Sequence, residues 1–359
     1  MSSTSTEHFA IPIVAGIGNA LMTQPMVRQL RDGVPQAVVR VVAMTSAMAE
    51  PFAQLRGVQT IVSGPGALRL LAALRSAGPI DTLIVPFPSN RWQYNVLAMR
   101  SGASRVLMHE YPAGHRACFS GVGQRVAAIR GLHDVDQNLR LLEPLGLVPT
   151  FGDAPRFRAS GDQEAAGIDL LRQAGIDERQ RFFAMHAGSA RTVLAKAKRW
   201  PVTRYAELIR AMLRDFGWPV VLLEGPDERG VTEQIVRATA EVGSVPGKIA
   251  TIVLSGPLGV AGAILSRARL YVGTDSGLAH LAAAVGRRAV TLFAPADPDR
   301  VAPFGNRDLV VQPSKPCSPC FLYPWEATRP KMRCKPPFCI EQISTEMVLQ
   351  KIRSALGTG

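Results

Sequence analysis

Short runs of Val, Ile and Leu alternate along this chain with amphipathic stretches of helical period, and the whole alternation occurs twice. Continuous aliphatic runs suit strands covered on both faces, and such strands are joined by helical crossovers, so the chain is constrained to parallel sheets layered with helices. In the first half the predicted strands are Ile11–Ala15, Val38–Met44, Thr60–Val62, Thr82–Phe87 and Arg105–His109. Ala67–Ser76 is one of the helices between them, and a helix over Val135–Leu145 closes this half. Residues 151–162 lack periodicity and carry Gly, Pro and Asp, which marks an interdomain linker. Beyond it, predicted strands Phe182–His186, Val220–Leu223, Leu270–Val272 and Ala289–Phe293 alternate with helices near 203–216, 227–241, 259–268 and 277–285. The expectation is two doubly wound α/β domains facing each other across a cleft, over residues 1–155 and 156–342, with a cysteine-bearing loop at 313–340 and a C-terminal helix over 343–359. In such sheets ligands sit at the carboxyl ends of strands, beside helix N-termini.

A length of 359 residues with 47% hydrophobic side chains supports cores in both domains and excludes disorder. Lys and Arg number 41 against 28 Asp and Glu, a formal charge of +13 that favours an anionic partner. Nucleic acid is disfavoured, because aromatic residues are only 6% and none interleave with basic ones in a base-stacking pattern. The N-terminal residues have no basic run, and Pro12, Gly16 and Gly18 interrupt the apolar segment that follows. With no signal peptide and no apolar run long enough to span a membrane, the expected location is cytoplasmic.

The segment Gly273-Thr-Asp-Ser-Gly-Leu-Ala-His280 follows an apolar strand and opens a helix of small residues. It places Asp275, Ser276 and Gly277 at a strand-to-helix turn, where unpaired N–H groups point outward and bind phosphate. The plainer alternative makes Asp275 or Ser276 an N-cap and His280 a core histidine.

Residues 275–286 (DSGLAHLAAAVG) and 290–305 (VTLFAPADPDRVAPFG) resemble the signature of glycosyltransferase family 9, the ADP-heptose:lipopolysaccharide heptosyltransferases. Residues 16–25, 133–147, 185–209 and 220–228 match further blocks of that family in order, so the resemblance spans nearly the whole chain. It implies a GT-B fold, two Rossmann-like domains with the acceptor bound in the first and the nucleotide-sugar in the second. It also implies an inverting transfer of heptose from ADP-heptose to a lipopolysaccharide core acceptor, without a catalytic metal. By the same resemblance Ser276 and Gly277 hold the donor diphosphate, Asp275 contacts the donor sugar and His280 supports the turn. Lys198, in Lys198-Arg-Trp-Pro201, neutralises phosphate, as a departing diphosphate requires a cation beside it. Ser189 adds a hydroxyl to the phosphate site, and Glu228, or else Asp227, grips the ribose.

One position departs from the family pattern. Where the family loop reads Gly-Asp, this chain reads Gly18-Asn19. The family aspartate is taken as the general base, and a neutral amide accepts no proton. Asn19 can orient the acceptor hydroxyl, with Glu110 as the substitute base and His109 beside it. The plainer alternatives are a capping carboxylate and a surface imidazole.

Five cysteines include Cys317, Cys320, Cys334 and Cys339 in a Pro- and Lys-rich loop, a spacing suited to structural zinc or iron. A branch of family 9 that heptosylates autotransporter proteins carries an iron-binding cysteine cluster, which makes a protein O-heptosyltransferase the second reading. A third, suggested by Asn19, is a non-catalytic nucleotide-sugar binder. The expected partners are a nucleotide-sugar and an anionic lipopolysaccharide precursor or a protein acceptor, with peripheral contact at the cytoplasmic membrane face.

Overall fold

The computed structural model describes residues 6–111, 123–188, 195–225, 228–244, 247–325 and 338–357. They fall into two compact units, Met1–Arg156 with Leu322–Lys331, and Phe157–Phe321 with Met332–Gly359. Each unit is an α/β layer structure around a six-stranded parallel sheet.

The first sheet is built from β1 (His8–Ile13), β2 (Val38–Ala43), β3 (Val58–Val62), β4 (Thr82–Ile84), β5 (Arg105–Glu110) and β6 (Gln124–Ala127). Its order is β3-β2-β1-β4-β5-β6, the strand order of a Rossmann sheet. The crossovers are α1 (Ile17–Gly33), α2 (Ser46–Ala53), α3 (Ala67–Ser76) and α4 (Trp92–Arg100). α5 (Asp134–Arg140) follows β6, and a separate 310 turn takes Glu143–Leu145. The single helix expected over Val135–Leu145 is therefore broken; Pro144 lacks the N–H that would continue it.

The second sheet repeats that plan with β7 (Phe183–His186), β8 (Val220–Glu224), β9 (Ile249–Val253), β10 (Leu270–Thr274), β11 (Ala289–Leu292) and β12 (Val310–Val311), in the order β12-β11-β10-β7-β8-β9. Its helices are α6 (Gly161–Gln173), α7 (Ala195–Lys198), α8 (Val202–Phe216), α9 (Val231–Glu241), α10 (Leu258–Arg267), α11 (Gly277–Ala284), α12 (Pro298–Val301) and α13 (Thr345–Leu356). α6 begins inside the expected linker, because Ser160 and Gln163 form a reciprocal capping box. α9 starts later than the pattern suggested, since Gly230 sits before it in a left-handed conformation at φ 86°.

Helix α8 shows how the sequence selects its packing. Tyr205, Leu208, Ile209 and Met212 recur at helical spacing and are buried in the core of the second unit, while Arg204, Glu207 and Arg214 stay outside. Gly217, left-handed at φ 66°, ends the helix by donating its N–H to the Leu213 carbonyl. Fully burying one such aliphatic side chain stabilises the fold by roughly 1.5–3 kcal/mol. Helix α13, capped by the Ser344 hydroxyl, packs its buried Val348, Leu349 and Ile352 into the same core.

Candidate functional site

The order of the second sheet reverses direction at β7 and β10, which lie side by side with Gly273 opposite His186. Ligands bind at the carboxyl end of such a switch point, and both strands end there in polar residues. His186 closes β7, and Thr274, Asp275 and Ser276 lead from β10 into α11. Close packing needs small residues at this spot. A Cβ on Gly273 would lie 2.6 Å from the His186 carbonyl oxygen, and one on Gly188 would lie 1.8 Å from the Glu228 carboxyl carbon. The Thr274 hydroxyl ties the two strand ends together by donating to the Gly188 carbonyl at 2.6 Å.

Ser276 occupies the N-cap position of α11, but its side chain caps nothing. Its Oγ lies 3.2 Å from His186 Nδ1 and 3.3 Å from the Tyr271 hydroxyl instead. The ring's other nitrogen, Nε2, stands 2.6 Å from Glu228 Oε2. Burial pushes the Glu228 carboxyl up, yet its hydrogen bond with His186 and the other contacts around it outweigh burial and hold the group below the usual carboxylate range. Tyr271 is fully buried, which raises its hydroxyl well above the ordinary tyrosine value and keeps it a phenol. Lys198 Nζ lies 2.5 Å from Asp275 Oδ2, and Gly277 is the first residue of α11. His280, one turn inside α11, is buried.

The structure thus gathers Lys198, Glu228, Asp275, Ser276 and Gly277 around one strand-to-helix turn, joined by His186 and Tyr271, to which the motif reading gave no role. His186 lies inside a matched block and Tyr271 inside an apolar strand, so composition marked neither. Glu224 is a second carboxylate that went unread. It accepts from the N–H groups of Gly230 and Thr232 and from the Thr232 hydroxyl, neutralising the start of α9. Trp200 explains the companion residues of Lys198: its indole N–H donates to the Ile343 carbonyl at 2.9 Å and anchors the segment. Ser189, Asp227, Cys118 and Cys334 lie outside the described residues.

In the first unit Asn19 lies in the opening turn of α1, beside a pocket lined by Pro12, Ile13, Thr23, Phe87 and Tyr94. Glu110 is exposed at the carboxyl end of β5. His109 is neither a base nor a surface imidazole. It is fully buried, with Nδ1 3.1 Å from the Val126 carbonyl and Nε2 2.9 Å from that of Gln137.

The cysteine set does not assemble among the described residues. Cys317 is exposed, Cys320 half-buried and Cys339 buried, and no group of three or more His, Cys, Asp or Glu side chains is placed to hold a metal. Among the described residues no helix is long and apolar enough to cross a membrane.

A family model described as glycosyltransferase family 9 (heptosyltransferase) matches residues 109–328, more than half of the chain. This chain belongs to glycosyltransferase family 9. The family 9 enzyme is 26% identical over 298 residues to lipopolysaccharide heptosyltransferase 3 of Escherichia coli K12, covering 78% of this chain and 80% of that one. Among solved structures it is similar to a glycosyl transferase family 9 protein of Veillonella parvula, with a TM-score of 0.75 at 18% identity over 98% of both chains. It is also similar to E. coli heptosyltransferase WaaC with ADP, with a TM-score of 0.66 at 18% identity over 97% of this chain and 99% of that one. The fold is thus the two-sheet α/β architecture of heptosyltransferases, and the chain is a glycosyltransferase of the heptosyltransferase family.

Proposed function

We propose that this enzyme transfers heptose from ADP-heptose to a lipopolysaccharide core acceptor with inversion, and that its second unit holds the donor. The observation that carries the reading is the cluster at the end of β7 and β10, a cation, a hydroxyl and a helix N-terminus around one turn. That combination suits a diphosphate, and its carboxylates suit hydroxyl groups. The WaaC relative, solved with ADP, supports the nucleotide, and the charge of +13 suits an acceptor bearing phosphate. A nucleotide-sugar donor and a lipid-linked acceptor both accord with action at the cytoplasmic membrane face.

In the proposed step the acceptor oxygen attacks the anomeric carbon and the bond from that carbon to the diphosphate breaks. The electron pair leaves with ADP, where Lys198 and the α11 N–H groups offset the developing charge. The acceptor proton passes to Glu110, with Asn19 orienting the hydroxyl. A non-catalytic binder is the second reading, favoured by Asn19 alone. Incubating purified protein with ADP-heptose and deacylated core acceptor, and following ADP release with product mass, separates the two. ADP binding with neither product nor ADP release over a range of acceptors overturns the transfer reading.

A further inference from the structure

The side chains around the α11 turn are joined by contacts whose hydrogens can be assigned one by one. Glu228 is a carboxylate and can only accept, so His186 Nε2, at 2.6 Å, carries a hydrogen. In an uncharged imidazole the other nitrogen then has only a lone pair. Ser276 Oγ, 3.2 Å from Nδ1, must supply the hydrogen for that contact, and a serine hydroxyl has only one. Tyr271 remains a phenol and donates to the same Oγ at 3.3 Å. With the ring uncharged, Ser276 therefore meets a phosphate oxygen with lone pairs against lone pairs.

Adding one proton to the ring reverses this arrangement. An imidazolium donates from both nitrogens, to Glu228 Oε2 and to Ser276 Oγ. Oγ then accepts from Tyr271 and from His186 with its two lone pairs and turns its own hydrogen toward the helix N-terminus. We propose that binding of the donor diphosphate draws a proton from solvent onto His186, making this buried histidine a positioning residue that switches Ser276 from acceptor-facing to donor-facing. The proposal rests on the donor-site reading above.

The charges around the ring agree with that direction. Glu228 faces Nε2, and Arg199 bears on Glu228. Asp275 and Lys198 are engaged with each other, and Glu224 is held by the start of α9. Among the described residues, then, the negative partner of the ring is Glu228, and the arriving diphosphate adds further negative charge beside it. Linkage is reciprocal, so ADP binds most tightly at the acid end of the range. Its affinity falls as pH rises, by at most about tenfold per pH unit for one proton.

Calorimetry with ADP between pH 6 and pH 9, in buffers of different ionisation enthalpy, counts the protons exchanged. The terminal phosphate of ADP contributes a background of its own, which wild type and His186→Gln share, so the difference between them reports the histidine. Wild type should take up a fraction of a proton, rising toward one, that both His186→Gln and Ser276→Ala lack. Its dissociation constant should rise several-fold more from pH 7 to pH 9 than that of either variant. Should His186→Gln fail to fold, Ser276→Ala supplies the same comparison. Equal proton counts in wild type and variants throughout the range, with ADP still bound, overturn the proposal and leave the donor site standing. Failure of ADP to bind wild type at any pH overturns the donor-site reading and this inference with it.

Discussion

Lys198 and Asp275 form an ion pair of 2.5 Å at the mouth of the strand-to-helix turn, with side chains 21% and 11% exposed. A half-buried pair of this kind gains little net stability, because desolvating the two charges offsets much of their attraction. On the donor-site reading its consequence is electrostatic: the cation proposed to meet the diphosphate already has a carboxylate partner, and that carboxylate lies where the anionic charge would arrive.

Asp275→Asn should therefore bind ADP several-fold more tightly than wild type while transferring sugar more slowly. Lys198→Ala should lose turnover by roughly 10²–10³-fold, the usual effect of removing one group that stabilises developing charge. Calorimetry and initial rates measure the two effects separately. ADP affinity unchanged in Asp275→Asn would show that the carboxylate does not oppose the phosphate.

Asn19 and Glu110 divide the base question between them. Glu110→Gln should reduce transfer by roughly 10²–10⁴-fold, the contribution of a positioned base, while Asn19→Asp should leave activity similar or raise it. Rates with saturating donor and acceptor decide it. The reverse result, transfer appearing only in Asn19→Asp, would make Glu110 a surface carboxylate and the natural chain a binder.

Most strands that local pattern revealed are largely buried, such as β8 and β10, although β3, read in part as Thr60–Val62, is half-exposed. β9 alternates buried and exposed positions at a sheet edge, β6 is a half-exposed edge strand, and β12 has only two residues, so none made an apolar run. In the site, the Gly273–His280 turn was legible because a strand, a polar turn and a small-residue helix follow one another directly. The bridge from Ser276 through His186 to Glu228 was not, because it joins residues 90 and 42 positions apart. The membership of Leu322 onward in the first unit was hidden for the same reason.

His109 should make the fold acid-sensitive. Burial pushes its ring from the ordinary 6.5 down to about 4, against two carbonyl contacts that favour the charged form. Between those values the unfolded chain binds a proton that the folded chain refuses. Stability is thus lost as pH falls from about 6.5 to about 4, by up to ~3 kcal/mol, and this group adds no further slope below. Urea midpoints from pH 7 to pH 4 should fall more steeply for wild type than for His109→Gln. Parallel slopes would mean the ring is charged in the folded protein.

Trp325 tests whether the segment following Cys317 and Cys320 is structural in the first unit. Its indole is buried between Phe87 and Tyr111, with ring centroids 6.1 Å and 6.4 Å away, and the neighbouring Pro324 carbonyl accepts from Asn90 Nδ2. Arg91 covers the Tyr323 ring at 5.0 Å. Deleting so large a buried ring should cost roughly 3–5 kcal/mol, so Trp325→Ala should unfold well before wild type. Trp325→Phe should behave differently. Among the described residues the buried Trp325 indole N–H has no hydrogen-bond partner, so phenylalanine removes an unmet donor while keeping most of the packing, and its melting temperature should stay close to wild type or exceed it. Thermal unfolding of the three proteins ranks them, and a phenylalanine variant as unstable as the alanine one would show that the N–H, rather than the ring's bulk, holds the segment in place.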